Sequence, residues 1–157
     1  MTAEEKMAFA FSPDGQRAAR EYLSRLRALD VMIALKHSHA DDLREKSRRV
    51  TRAMDALSFG GQGDRVGEAA AQLADLEREI LADYSALLSQ RQEIESTIRR
   101  VPNETQRTVL EMRYIDGMPF FRIAMALHYD ERTVYRYHQK ALSHAALYLV
   151  ETGRIAA

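Results

Sequence analysis

Residues 22–57 read YLSRLRALDVMIALKHSHADDLREKSRRVTRAMDAL. Within this stretch Tyr22, Leu26, Leu29, Ile33, Lys36, Ala40, Leu43, Ser47, Val50, Met54 and Leu57 follow one another at alternating steps of four and three. Those steps place them on one seam of a helix, with the spacing of a coiled coil. Tyr22 is amphipathic, and Lys36 and Ser47 interrupt an otherwise apolar line. Polar residues such as Arg25, Asp41, Glu45 and Lys46 fill the other faces. The pattern returns downstream. Val66, Leu73, Ile80, Leu87, Ile94 and Val101 recur every seven residues, and Ala70, Leu76, Tyr84, Arg91 and Ile98 fill the other seam position.

Gly60, Gly61 and Gly63 lie between the two stripes. Facing residues of an antiparallel pair keep a constant sum of residue numbers. Leu57 with Val66, Val50 with Leu73, Leu43 with Ile80, Lys36 with Leu87 and Leu29 with Ile94 all share one sum. Ala40 with Tyr84 and Leu26 with Ile98 share the next, and small Ala40 opposite bulky Tyr84 suits packing. The pattern predicts a long antiparallel, coiled-coil-like αα-hairpin over 16–101 with a Gly-rich tip at 58–64, each arm on the order of 50 Å. Pro13, Asp14 and Gly15 are expected to close a short N-terminal arm, 1–15. The register also accounts for the basic run Arg44, Lys46, Arg48, Arg49 and Arg52. Glu68, Asp75, Glu77 and Glu79 lie across it, so flanking ion pairs explain the run better than phosphate binding does.

The segment 102–157 is punctuated differently. Asn103 is placed to cap a helix, with Gln106 completing a capping box. Val109, Leu110, Met112 and Tyr114 are candidate buried positions of that helix, and Asp116-Gly117 ends it. Pro119 suits the first turn of a second helix reaching Leu127. His128-Tyr129 makes a turn, and Asp130 caps a third helix running to about Val150. Two helices joined by so short a turn form helix-turn-helix spacing. Ile123, Leu127, Tyr129, Val134 and Tyr137 take the interior positions. The turn position that usually holds Gly holds His128, a residue type that visits positive φ more readily than most. Glu131, Arg132, Thr133, Tyr135, Arg136, Gln139 and Lys140 are the candidate DNA-contacting residues of the third helix. Arg can bond guanine bidentately, Gln can bond adenine, and Glu can accept from cytosine.

Arg107-Thr-Val-Leu-Glu-Met-Arg-Tyr114 resembles the first helix of a bacterial sigma-70 region 4 domain. Ile123-Ala124, Asp130, Thr133-Val134 and Ala141-Leu142 continue that likeness. The layout resembles phage- and prophage-encoded regulators of the ArpU/RinA late-gene activator type, as do Arg20-Glu21-Tyr22-Leu23 and Asp64-Arg65-Val66-Gly67. The resemblance covers roughly residues 17–150. It implies an all-α chain in which a helical hairpin precedes a three-helix, sigma region 4-like helix-turn-helix. It further implies a transcriptional regulator that reads the major groove of double-stranded DNA with the helix 131–150 and acts with host RNA polymerase. Sigma-type domains usually carry Glu before Ile-Ala. Here that position is Arg122, so no contact assigned to that Glu transfers.

Composition sets the outer limits. The 157 residues carry 23 Lys+Arg and 23 Asp+Glu, which excludes a polyanion-coating protein. There is no Cys, so disulfides, thiol catalysis and thiolate metal sites are out. His37 and His39 stand two apart on a helix and cannot share a face, so no metal site is expected there. No Gly-rich phosphate loop, His-Glu-x-x-His motif or nucleophile elbow occurs, so the expectation is no enzyme and no cofactor. With no membrane-length apolar run and no signal-peptide pattern at the start, the expected location is cytoplasmic. From Pro102 to Ala157 seven Lys/Arg face six Asp/Glu, a low balance for a DNA-binding unit. That balance suits weak binding by one copy and favours a homodimer. Met32, Leu81 and Leu88, with Leu23, lie off the internal seam and are expected to stay partly exposed in a single copy. The alternative is a phage assembly protein, a terminase small subunit or scaffold-like adaptor. Terminase-type chains usually place the DNA-binding domain first, and here it comes last.

Overall fold

The computed structural model describes the backbone of residues 1–57 and 63–157, and the described chain is all-helical with no strand. Most of the tip expected at 58–64 lies outside the described residues. No described helix is long and apolar enough to cross a membrane. The chain divides into two compact units, Met1–Ala28 with Ser89–Ala157, and Leu29–Leu88.

The first unit begins with helix α1, Ala3–Ala10. Thr2 and Glu5 form a capping box: the Thr2 hydroxyl accepts from Glu5 N–H, and the Glu5 carboxylate accepts from Thr2 N–H. Ser12 caps helix α2, Pro13–Leu23, by accepting from Gly15 N–H at 3.2 Å. Pro13-Asp14-Gly15 therefore opens a helix instead of ending an arm, because a proline loses no hydrogen bond at the first helical position. Gly15 is required there, since a Cβ would collide with the carbonyl oxygen of Phe9. Both helices pack on helix α7, Glu131–Glu151. Phe11 meets the His144 ring edge-on at 5.4 Å, and Gln16 Nε2 donates to Ser143 Oγ at 3.0 Å. Leu23, expected to stay partly exposed, is fully buried in this unit.

Helix α4, Gly63–Arg99, ends in this unit with Ile94, Ile98 and the following Val101 buried. Asn103 Oδ1 then accepts from Gln106 N–H at 3.0 Å and starts helix α5, Glu104–Leu110. The reciprocal half of the expected capping box does not form: Gln106 Oε1 is buried with no hydrogen-bond partner among the described residues. A widened π-type turn, Glu111–Ile115, carries the helix on, and Gly117 ends it at φ +68°. Helix α6, Phe120–Leu127, follows Pro119. His128 sits in the left-handed region at φ 58°, ψ 37°. Tyr129 N–H donates to Ala124 O at 3.0 Å and His128 N–H to Met125 O at 3.4 Å, the two bonds of a Schellman ending. Asp130 Oδ1 accepts from Thr133 N–H at 2.7 Å and caps α7. Val109, Ile123, Ala124 and Val134 form the core here, with Met112, Met118, Phe120, Leu127 and Tyr137 packed on it. Tyr129, expected inside, is 41% exposed and lies against the Tyr137 ring at 5.6 Å.

The second unit, Leu29–Leu88, is made of the greater part of helix α3, Arg25–Leu57, and of α4. Lys36 Nζ lies 2.6 Å from Asp83 Oδ2 and 3.6 Å from Glu79 Oε2. Arg44 Nη2 donates to Glu77 Oε1 at 2.8 Å, and His37 Nε2 lies 2.9 Å from the Tyr84 hydroxyl. Partner numbers fall from 83 to 77 as α3 numbers rise from 36 to 44. Ile33, Ala40 and Ile80 are buried. Tyr84, expected to pack on Ala40, is instead 42% exposed, and Asp83 takes the half-buried position beside it. The apolar pattern could not show this, because Asp83 is drawn inward by the ammonium of Lys36.

Candidate nucleic-acid interface

Helix α7 is held from behind. Val134, His138, Ala141, Leu142, Ala145 and Leu149 are buried along one side of it. At about 100° per residue the opposite direction is centred on Arg132, Arg136 and Gln139. Glu131, Arg132, Tyr135, Arg136, Gln139 and Lys140 are exposed, and Thr133 is half-buried. Six of the seven candidate residues thus sit on or beside one outward face, over the first three turns of the helix, whereas Glu131 projects toward the buried side and is exposed because it begins the helix. Thr133, Arg136, Tyr137 and Lys140 line a shallow depression of about 190 Å³ on it. Arg136 Nη2 donates to Thr133 Oγ1 at 3.3 Å, so its guanidinium lies along the helix. The backbone N–H and side chain of Thr133 hold the Asp130 carboxyl below its ordinary pKa, with Arg136 and Arg132 contributing.

Beside Tyr135 the surface becomes aromatic. Phe120 lies 4.5 Å from the Tyr135 ring and 4.9 Å, edge-on, from that of His138. Tyr114 and His138 stack and share a hydrogen bond of 2.7 Å between Oη and Nε2. Burial pushes the Tyr114 phenol up to about 12 and the His138 ring down to about 4; the positive charges of Arg20 and Arg113 push the ring further in the same direction. His138 is therefore a neutral core residue and adds nothing to the cationic face.

Some cations of the described residues are paired with carboxylates and others are not. In the second unit Arg44 is paired with Asp41 and Glu77, Arg48 and Arg49 with Glu45, and Lys36 with Asp83. Among the described residues no carboxylate lies within salt-bridge distance of Arg132, Arg136, Lys140 or, on α6, Arg122. Of the acidic residues expected across the basic run, Glu77 makes such a pair, whereas Asp75 pairs with Arg78 of its own helix. Among the described residues no group of three His, Asp or Glu could hold a metal ion.

A family model described as a protein of unknown function, DUF1492, matches residues 49–146. The chain belongs to this family. The DUF1492 match runs from late α3 through most of α7, so it contains all seven candidate residues; α1, α2 and most of α3 precede it. No curated protein and no solved structure matches the chain.

Sequence reasoning did not single out Arg113. Its guanidinium lies 4.4 Å from the Phe120 ring centroid, and its Nη1 donates to Met118 O at 3.1 Å. Nor did it single out Arg20, whose charge reaches the Tyr114–His138 pair from α2. Only the contact of α2 with α7 brings Arg20 there. Arg107 is different: it donates to the carbonyl oxygens of Val101 and Pro102 and ties α5 to the end of α4.

Proposed function

We propose that this chain is a DNA-binding regulator of transcription, phage or prophage encoded, with no catalytic step. In this reading α6 and α7 are the helix-turn-helix, and α7 enters the major groove with Arg132, Arg136 and Gln139 foremost. α3 and α4 form an antiparallel hairpin through which two copies associate, and host RNA polymerase is the further partner. One observation carries the reading. Lys36, Arg44, Arg48, Arg49, Arg78 and Arg91 of the long helices lie beside carboxylates, while Arg132, Arg136 and Lys140 share the outward face of a helix backed by the core, with no such partner among the described residues. A helix diameter of about 10–12 Å suits a major groove about 12 Å wide.

The test is selection of bound duplex from a random-sequence pool by the purified chain, with footprinting of the product. A defined motif protected in the major groove is the expected result. Recovery of unselected DNA, or of none, overturns the reading. A large ring in solution instead of a dimer would redirect it to a phage assembly protein.

A further inference from the structure

The depression on α7 divides the outward face by role, and the inference drawn from it rests on the function proposed above. Thr133, Arg136, Tyr137 and Lys140 line it. Their steps of three, one and three make a single stripe over two turns of the helix. Each of the four carries a hydrogen-bond donor. The Arg136 guanidinium is turned sideways along this stripe, because its Nη2 donates to Thr133 Oγ1 at 3.3 Å. That bond uses the threonine oxygen as an acceptor and leaves its O–H free to donate. The Asp130 carboxylate at the start of the helix accepts from Thr133 N–H at 2.7 Å. Among the described residues no carboxylate lies within salt-bridge distance of Arg136 or Lys140, and the Lys140 ammonium and Tyr137 hydroxyl have no hydrogen-bond partner. Two cations and two hydroxyls around one hollow, with no anion from the chain itself, are the donor set for a phosphate.

The place of the hollow on α7 decides which phosphate. Arg132 directly precedes Thr133, and Gln139 directly precedes Lys140, so that pair lies about 100° around the helix from the stripe. In a major groove the leading direction of a helix meets base edges, and its flanks meet the sugar-phosphate backbones. Arg132 with Gln139 and Thr133 with Lys140 therefore face different parts of the duplex. We propose that the hollow seats one phosphate of the DNA backbone, held by Arg136, Lys140 and the hydroxyls of Thr133 and Tyr137, and that base reading falls to Arg132 and Gln139. Arg136 is then a positioning residue, committed sideways by Thr133. The Tyr137 ring packs on the core of Val109, Ile123, Ala124 and Val134 and lies 5.6 Å from the Tyr129 ring. A phosphate contact anchored to the core fixes the register of the helix in the groove without reading sequence.

The probes are a selected and a scrambled DNA duplex, each bound over a range of salt concentrations. Arg136→Gln and Lys140→Gln change exposed side chains and leave the core intact. Each should flatten the slope of log K against log salt by about 1, and both duplexes should lose affinity equally. Tyr137→Phe keeps the ring and should weaken both duplexes alike by about two- to tenfold. Gln139→Ala should instead lower the preference for the selected duplex and keep the wild-type slope. Wild-type slopes for both charge variants, or an Arg136→Gln loss confined to the selected duplex, overturn the site alone. Inorganic phosphate should displace no more duplex than chloride of equal ionic strength. Displacement specific to phosphate, and lost in Lys140→Gln, would make the hollow a free-phosphate site and overturn its assignment to DNA. A wild-type chain that ignores duplex DNA at low salt overturns the proposed function and this site together.

Discussion

Burial holds the His138 ring neutral down to about pH 4, whereas an imidazole in the unfolded chain takes up its proton near 6.5. Between those two values the unfolded chain binds a proton that the folded chain refuses. The His138 contribution to stability is therefore complete above about pH 6.5, falls as the pH drops through this window, and changes no further below about 4. The expected loss is about 3 kcal/mol, read from urea midpoints. By NMR the His138 ring signal should stay in its neutral position until the pH nears 4; titration at the ordinary value would show a ring open to water. Tyr114→Phe leaves the buried ring nitrogen unpaired and should cost about 1–3 kcal/mol. Arg136→Ala should weaken binding to a selected site by about 1–3 kcal/mol if the side chain meets a base edge. Equal loss on scrambled DNA would make it a phosphate contact, and no loss on either would remove it from the interface. The outward residues of α7 were legible because their spacing from the Asp130 cap is local. The Tyr114–His138 pair was not, since it joins positions 24 apart in the chain. A signal existed: Val134, His138, Ala141 and Ala145 form one buried stripe at helical steps.

Helix α6 ends in the left-handed conformation on a residue that carries a Cβ. An L-residue there costs roughly 1–2 kcal/mol, partly offset by the greater chain entropy a glycine would lose on folding. His128→Gly should therefore raise stability by about 0.5–1 kcal/mol, seen as a higher melting temperature. A lower one would mean that the His128 side chain makes a contact worth more than the strain. This ending was foreseeable, because Pro119, His128 and Asp130 are local punctuation. The start of α2 was misread for a related reason. Pro and Gly can end a segment or open a helix, and here the close approach of the Phe9 carbonyl to Gly15 goes with the second. In the second unit Lys36 looked like an interruption of an apolar seam, and the structure gives it Asp83. Its ammonium is held above the ordinary lysine range by the hydrogen bond to Asp83, against the opposing cost of burial. Asp83→Ala should lower the melting temperature. The paired Lys36→Leu, Asp83→Leu variant should match or exceed the wild type, as half-buried ion pairs replaced by apolar residues commonly do. A double variant as unstable as the single one would show that the pair specifies the register of α3 against α4.

At the scale of the whole molecule, the proposed function requires a chain of zero net charge to hold DNA. Periodicity predicted the long helices, and the C-terminal punctuation predicted α5 to α7. It missed that residues 1–28 fold with 89–157, because α1 and α2 are joined to α7 by Gln16–Ser143 and Phe11–His144, contacts between residues with no shared local pattern. In the proposed function one copy offers Arg132, Arg136 and Lys140 to the DNA. Neutralising about three phosphates gives a salt slope near −3 and little affinity at physiological salt. Linking two such surfaces can strengthen binding by about 10²–10⁴ with no new contact per copy. The second unit has a face suited to that linkage. Leu81 and Leu88, one heptad apart on α4, are 69% and 63% exposed, and Gly67 and Ala74 continue the same exposed line. Apolar residues at heptad spacing are the requirement for helix association. Leu81→Glu with Leu88→Glu should convert a sedimenting dimer into a monomer while leaving the helical signal intact. Its affinity for a selected site should fall by about 10²–10⁴, with the contacts at a single half-site unchanged. A dimer also predicts that the selected site is an inverted repeat with half-sites about one helical turn apart, or a multiple of it. A wild-type chain that sediments as a monomer and selects a non-repeated site would sink the dimer, and a second protein such as the polymerase would then have to supply the missing affinity.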